Sequence, residues 1–342
     1  MEFMELKGKP LKGNDLERLK EFLKRNGLDY DGGVEYSVCL LDEDYRILAT
    51  GSAEENVLKC IAVDPKARGL GLSGTILSDL IQYEFENGRS HILIYTKPDN
   101  REMFEDMGFY TVLMTDQVLF MENKRNGFEE FIKRLIQESP QDALEPGRVI
   151  GSIVVNCNPF TYGHRYLIEQ ALLHCDYLHV LVLSDNRSYF SAEERFQMVL
   201  KGTRDMPGAI VHKASDFVIS AATFPTYFVK EKAQAEKANC RLDLELFGKR
   251  IAPALKITKR FVGTEPTCLV TGHYNEEMKK ILPEYGILVT EFERKDYEGE
   301  AISASTVRKW YEKGDFERIR ELVPETTLEY LISRKKGQRP RG

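Results

Sequence analysis

The chain has 342 residues, 42% of them hydrophobic, and a formal net charge of −6, enough for roughly two domains that each bury a core. That acidic balance gives no field to draw a nucleic acid, and no run of about eighteen apolar residues exists to span a membrane as a helix. "MEFMELKGKP" lacks a secretory pattern, and the six scattered cysteines, Cys39, Cys60, Cys157, Cys175, Cys240 and Cys268, form no CxxC pair, so they read as reduced thiols of a cytoplasmic protein. Neither a Walker A loop nor an HExxH helix occurs, and the basic end "SRKKGQRPRG" reads as a solvated terminus.

In chain order, residues 36 to 63 alternate as strands: "YSVCLLDEDYRILATGSA" has an acidic turn in its middle, and "NVLKCIAV" follows as another β-rich run. "DPKARGLGLSGTILSDLIQYEFENG" opens on Pro65 and spaced glycines, then sets Ile76, Leu77, Leu80, Ile81 and Phe85 at helical spacing before Gly88. "RSHILIYT" reads as a strand, and "KPDNREMFEDMGFYTV" as a short helix, Gly108 and a further strand. Arg68, Gly69 and Gly71 stand where the backbone enters a helix, whose unpaired amides attract phosphate; a plain tight turn explains the same glycines.

The stretch from Arg68 to Leu72 resembles the R/Q-x-x-G-x-G/A pattern of the GNAT acetyltransferase superfamily, from which Ser73 departs before Gly74. "MFEDMGFY" is similar to that family's closing helix and strand. The resemblance implies an α+β GNAT-like domain over 1–125, with coenzyme A as the ligand of Arg68, Gly69, Gly71 and Gly74. Acetyl transfer does not follow, because one fold hosts many functions.

Residues 126–147 carry Phe128, Phe131, Ile132, Leu135 and Ile136 on one stripe, an amphipathic connector that Pro140, Pro146 and Gly147 end. From 148 to 342 the order is βαβα. "RVIGSIVVNCNPF" and "DYLHVLVLSD" are near-continuous apolar runs, expected of strands covered on both faces. Helical spacing from Tyr166 to Leu172 and "SAEERFQMVLKGTRD" follow them in turn. "AIVHKASDFVIS", a helical region from about 226 to 255, "KRFVGTEP", "NEEMKKILPEYG" and "ILVTEFER" continue the alternation. The expectation is a Rossmann-like, doubly wound parallel sheet with ligands beyond the carboxyl ends of its strands.

"NPFTYGH", Asn158 to His164, lies at that edge. Gly163 gives the backbone room, the helix N-terminus supplies amides and partial positive charge, and His164 adds a donor, together a phosphate cradle. Thr161 as a simple helix cap, with His164 decorating the first turn, is the competing reading. Near the end, "AISASTVRKWYEKGDFE" sets Ser303, Ser305 and Thr306 at the start of a helix with Arg308 one turn in, a second cradle. One nucleoside triphosphate stretched between the two explains both.

Thr161, Gly163, His164 and the later Ile302, Ser303, Ser305, Thr306 and Arg308 resemble the T/H-x-G-H and I-S-x-S-T-x-x-R signature of the nucleotidyltransferase superfamily. With "LDLELFGKRIAPAL", "FVGTEPTCLVTGHYNEEM" and the GNAT-like front, the chain looks like the citrate lyase ligase family over essentially its whole length. That resemblance implies activation of acetate by ATP, with Mg2+ carried by the triphosphate. The acetyl group then passes to the prosthetic-group thiol of the citrate lyase acyl carrier subunit, releasing AMP and diphosphate. By the same resemblance His164, Thr161 and Arg308 serve catalysis, Asn158, Pro159, Phe160, Gly163, Ser303, Ser305 and Thr306 hold the nucleotide, and "VGTEP" (Gly263, Thr264, Glu265 within it) lies near the ribose or the acid. Arg195 either reaches the phosphates or is an ion-paired helix arginine, and "VGTEP" could be an ordinary turn.

Two rival functions share this fold expectation. One is an adenylyltransferase acting on a phosphorylated cofactor precursor such as phosphopantetheine; the other is a GNAT-type acetyltransferase with a regulatory nucleotide domain. His91, His174, His179, His212 and His273 lack metal-like spacing and read as structural, His273 being the one nearest the expected pocket. Cys157, beside the motif, reads as a small buried apolar residue.

Overall fold

Two sheets organise the chain, in a computed structural model that describes residues 3–184, 188–218, 227, 228, 232–265, 269–297 and 299–337. Two compact units result: 1–129 together with 223–242, and 130–222 together with 243–342.

The first unit holds β1 (Met4–Gly8), α1 (Gly13–Arg25), β2 (Tyr36–Leu41), β3 (Ile47–Glu54), β4 (Val57–Val63), α2 (Leu72–Glu86), β5 (Leu93–Thr96), α3 (Arg101–Asp106), β6 (Tyr110–Met114) and β7 (Leu119–Glu122). Its sheet runs β1-β2-β3-β4-β5-β7-β6, antiparallel except for the β4–β5 pair. The expected α+β front is therefore present. β1 and α1 lie outside the elements expected from sequence; β1 is an edge strand of alternating exposure, while α1 buries Leu19, Phe22 and Leu23. Ile76, Leu77 and Leu80 of α2 pack on the sheet, which approaches so closely at Gly51 that a β-carbon there would meet Ile76 Cγ2 at 2.5 Å.

The linear partition at 125 and 147 is interrupted in the structure. Tyr227, expected in the second domain, is buried in the first unit: its carbonyl accepts from the Asp29 amide (2.8 Å) and its hydroxyl donates to the Tyr95 carbonyl (2.8 Å). The helical region expected from 226 includes positions 226 and 229–231, which lie outside the described residues.

The amphipathic connector is α4 (Gly127–Glu138), after which the second unit contains β8 (Ile150–Val155), α5 (Tyr162–Leu172), β9 (Tyr177–Val182), α6 (Ala192–Gly202) and β10 (Ala209–Lys213). There follow α7 (Lys232–Leu246), a π-helical stretch (Phe247–Ile251), α8 (Ala252–Ala254), β11 (Ile257–Gly263), α9 (Leu269–Ile281) and β12 (Leu288–Phe292). A small hairpin, β13 (Asp296–Tyr297) and β14 (Glu300–Ala301), leads to α10 (Ala304–Lys313), α11 (Phe316–Arg320) and α12 (Glu325–Gly337). The sheet order β10-β9-β8-β11-β12 is parallel throughout, the doubly wound arrangement expected. β8 and β9 are almost wholly buried, as their apolar runs require. Phe160, Ile168, Val180, Val199, Phe261 and Tyr311 share one core. The chain leaves β8 toward β9 on one side and β11 toward β12 on the other. Where those directions diverge, the strands' carboxyl ends open a crevice.

Candidate active site

The loop after β8 enters α5 through Thr161, whose side chain accepts from the His164 amide. His164 occupies the third helical position and returns the contact: the Thr161 N–H donates to its Nδ1 at 3.1 Å, completing a capping box with a histidine in the usual Glu or Gln place. An amide can only donate, so Nδ1 is an acceptor and the neutral ring carries its proton on Nε2. That Nε2 has no partner among the described residues. Burial, aided by the charge of Arg294, pushes the imidazole down to about 4. At neutral pH His164 is thus an uncharged donor.

Gly163 sits between cap and histidine, and its amide has no bond among the described residues. Phe160, fully buried, stacks beside the His164 ring at 6.0 Å. Asn158 accepts from the Phe190 amide at its Oδ1 (3.0 Å), and its carbonyl accepts from Arg308 Nη1. Pro159 is buried in the same loop.

The second cradle meets the first. A β-carbon on Gly163 would lie 3.4 Å from the Ile302 carbonyl oxygen and 3.5 Å from Ile302 Cβ, so the residue before Ser303 touches the entry to α5. Ser303 caps α10, accepting from the Ser305 amide (3.2 Å), with the two hydroxyls 2.8 Å apart. Thr306 and Arg308 follow on the first turns of α10, Ser305 being exposed and Thr306 and Arg308 half-buried. Partial burial holds the Arg308 pKa below its ordinary value.

The end of β11 supplies a third wall. The Thr264 amide donates to the Phe292 carbonyl (2.8 Å), and the buried Asn275 holds the Gly263 carbonyl (3.1 Å). Arg294, two residues beyond β12, donates from Nε to the Thr264 carbonyl (2.7 Å) and from Nη2 to the Glu265 carboxylate. Its neighbour Lys295 lies over the rings of Tyr162 (5.7 Å) and Tyr166 (5.9 Å) on α5. Sequence reasoning did not single out Arg294, which ends the run "ILVTEFER" and reaches the end of β11 only because β12 lies beside it. Pro266, the last residue of "VGTEP", is outside the described residues.

Other candidates stand apart from this cluster. Arg195 is fully buried and donates to the carbonyls of Phe190, Asn156 and Leu183, pinning the loops after β8 and β9 together. These bonds spend its guanidinium on the backbone of both loops. Cys157 is buried, and burial drives its thiol well above the ordinary range, so it is no nucleophile. His273 is exposed on α9. In the first unit, Gly69 and Gly71 adopt φ of 83° and 74°, and Gly74 and Thr75 return their amides to the Gly71 carbonyl (3.1 and 3.4 Å), closing an exposed turn beyond Arg68. Among the described residues no group of three or more His, Cys, Asp or Glu side chains could hold a metal, and no helix is long and apolar enough to cross a membrane.

Comparison with known proteins adds an independent line. Residues 150–331 match the family described as "Citrate lyase ligase C-terminal domain". The citrate (pro-3S)-lyase ligase of Klebsiella pneumoniae is 39% identical over 332 residues, 96% of this chain and 94% of that protein. Its Escherichia coli counterpart is 39% identical over 322 residues, 92% of this chain and 90% of that protein. A phosphopantetheine adenylyltransferase of Petrotoga mobilis is 30% identical over 94 residues, 27% of this chain and 49% of that protein.

Proposed function

The chain belongs to the citrate lyase ligase family, and on that premise we propose that it activates acetate with ATP as acetyl-adenylate and passes the acetyl group to the prosthetic-group thiol of the citrate lyase acyl carrier subunit, releasing AMP and diphosphate. The observation that carries this reading is the approach of Gly163 to Ile302, which brings two helix N-termini together and supports reading them as one surface for anions.

In this reading the triphosphate lies across the entries of α5 and α10. Gly163 offers its amide to an α-phosphate oxygen, and the Nε2–H of His164 donates to the same group as charge grows on it. Ser303, Ser305, Thr306 and Arg308 hold the β- and γ-phosphates, the leaving diphosphate, and the bond from Arg308 to the Asn158 carbonyl keeps the two cradles in register. A carboxylate oxygen bonds to the α-phosphorus while the bond to the β-bridging oxygen breaks and its electron pair leaves with diphosphate. No protein nucleophile is needed; positioning and charge neutralisation suffice. Magnesium enters with ATP as part of the substrate, carried by the triphosphate.

The test is acetate-dependent exchange of labelled diphosphate into ATP, followed by AMP release and recovery of lyase activity when deacetylated citrate lyase is added. His164→Ala should lose exchange by roughly 100- to 1000-fold. Exchange driven by phosphopantetheine instead of acetate would move the chain to the adenylyltransferase reading.

A further inference from the structure

Adenylation of an acid brings two anions together: a carboxylate must reach a phosphorus surrounded by negative oxygens. The donor at the centre of the site carries no charge, because His164 uses Nδ1 to accept from Thr161 and keeps its proton on Nε2. Arg308 is tied to the Asn158 carbonyl at the α10 side. Beyond the magnesium that ATP carries, a positive charge on the other side of His164, facing the incoming acid, is what would offset that repulsion.

Arg294 supplies that charge. It extends from the end of β12 across the end of β11, with Cγ 4.0 Å from where a β-carbon on Gly263 would stand. Two of its three nitrogens are anchored, Nε on the Thr264 carbonyl at 2.7 Å and Nη2 on the Glu265 carboxylate. Nη1 has no partner among the described residues, and the side chain is 34% exposed, so it is both oriented and reachable. Its charge is felt at the His164 ring, which it helps to keep neutral. A planar guanidinium fixed along one edge presents its other edge to an oxyanion, geometry that a lysine cannot reproduce.

We infer that Arg294 is a catalytic residue of this site, its free guanidinium edge binding between the incoming carboxylate and the α-phosphate, with Glu265 as its positioning residue. The inference rests on the ligase reading above and deepens it. Arg294 lowers the repulsion between the two anions and stabilises the charge that spreads over the α-phosphate oxygens as the carboxylate–phosphorus bond forms and the bond to diphosphate breaks. It takes no proton. Because it acts where the two substrates meet, its removal affects the chemical step more than the binding of ATP alone.

The experiment is the acetate-dependent diphosphate exchange of the full chain carrying Arg294→Ala, Arg294→Lys or Glu265→Gln, with thermal unfolding recorded for each. Arg294→Ala should lose roughly 100- to 1000-fold in kcat with a much smaller change in the KM for ATP, and guanidinium ion added to the assay should restore part of the rate. Arg294→Lys should fall between parent and Ala, and Glu265→Gln should lose less than Arg294→Ala. If Arg294→Ala does not fold, the Lys variant and its ATP-against-acetate KM split decide the matter. An Arg294→Ala rate equal to the parent's, or a loss shared fully by Lys and untouched by guanidinium, overturns the assignment. A parent protein without acetate-dependent exchange overturns the ligase reading and this inference with it, whereas an active parent with an unimpaired Arg294→Ala overturns only the role of Arg294.

Discussion

Gly163→Ala separates the fold from the proposed chemistry at one position. The added methyl would meet the Ile302 carbonyl oxygen at 3.4 Å and Ile302 Cβ and Thr161 Oγ1 at 3.5 Å, ordinary van der Waals contacts with no overlap. Gly163 is the second residue of α5 and its φ is not in the left-handed region. Alanine should therefore be neutral or stabilising there by up to about 1 kcal/mol, the usual helical preference over glycine. For a unit of this size that leaves the unfolding midpoint within about 4 °C of the parent. In the proposed reading the same methyl crowds the phosphate oxygen that approaches the Gly163 amide, and a displacement of about 1 Å at a reacting centre costs on the order of 100-fold in rate. Thermal unfolding paired with kcat/KM for ATP in the exchange assay reads both quantities. A stable Gly163→Ala protein with parental kcat/KM would show that no phosphate rests on this turn.

Gly202→Ala should behave oppositely: its β-carbon would stand 2.4 Å from Phe160 Cε1, and Phe160 is fully buried behind His164, so a loss of about 1–3 kcal/mol is expected by urea unfolding, and a parental midpoint would refute it. Burial, with a smaller contribution from His212, pushes His179 down to about 3, and His164 stands at about 4, both below the ordinary 6.5. The unfolded chain therefore binds the extra protons. Stability is full above about pH 6.5 and falls as pH drops toward 4, by at most about 1.4 kcal/mol per pH unit per group. His179→Gln should flatten that fall, and an unchanged slope would refute it. Glu84 is the reverse case: burial, opposed by Arg89 and assisted by Glu35, lifts its carboxyl to about 7 from 4.5. Stability should then decline as pH rises between those values, and Glu84→Gln should remove the decline and gain on the order of 2 kcal/mol at pH 8. Identical pH profiles for parent and variant would exclude it.

Much of the candidate site's geometry was legible because it depends on local chemistry. Thr161, Gly163 and His164 lie in one turn, as do Ser303, Ser305 and Thr306, and free amides at a helix entry follow from spacing alone. The two readings of T-x-G-H, cap and ligand, turn out not to exclude each other, since one edge of the imidazole closes the helix and leaves the other unengaged. What spacing could not supply was anything fixed by strand order. Arg294 comes beside Thr264 and Glu265 only because β12 pairs with β11 in parallel register. Arg195, on a helix that looked solvated, is buried because three carbonyls from two separate loops converge on it. Tyr227 joins the first unit through partners that are Asp29 and Tyr95, far away in sequence.

The engaged Nδ1 of His164 bears on the second half of the proposed reaction. Forming the mixed anhydride moves no proton, because a carboxylate arrives and diphosphate departs as anions. Thioester formation does release one, from the sulfhydryl of the carrier. An imidazole held near 4 has almost no basicity at neutral pH, and the Cys157 thiol is sealed away. With neither of these as a base, an acyl acceptor that comes already ionised should react fastest, so the speed of acetyl delivery should track the acidity of the carrier's own sulfur, a property set by the partner.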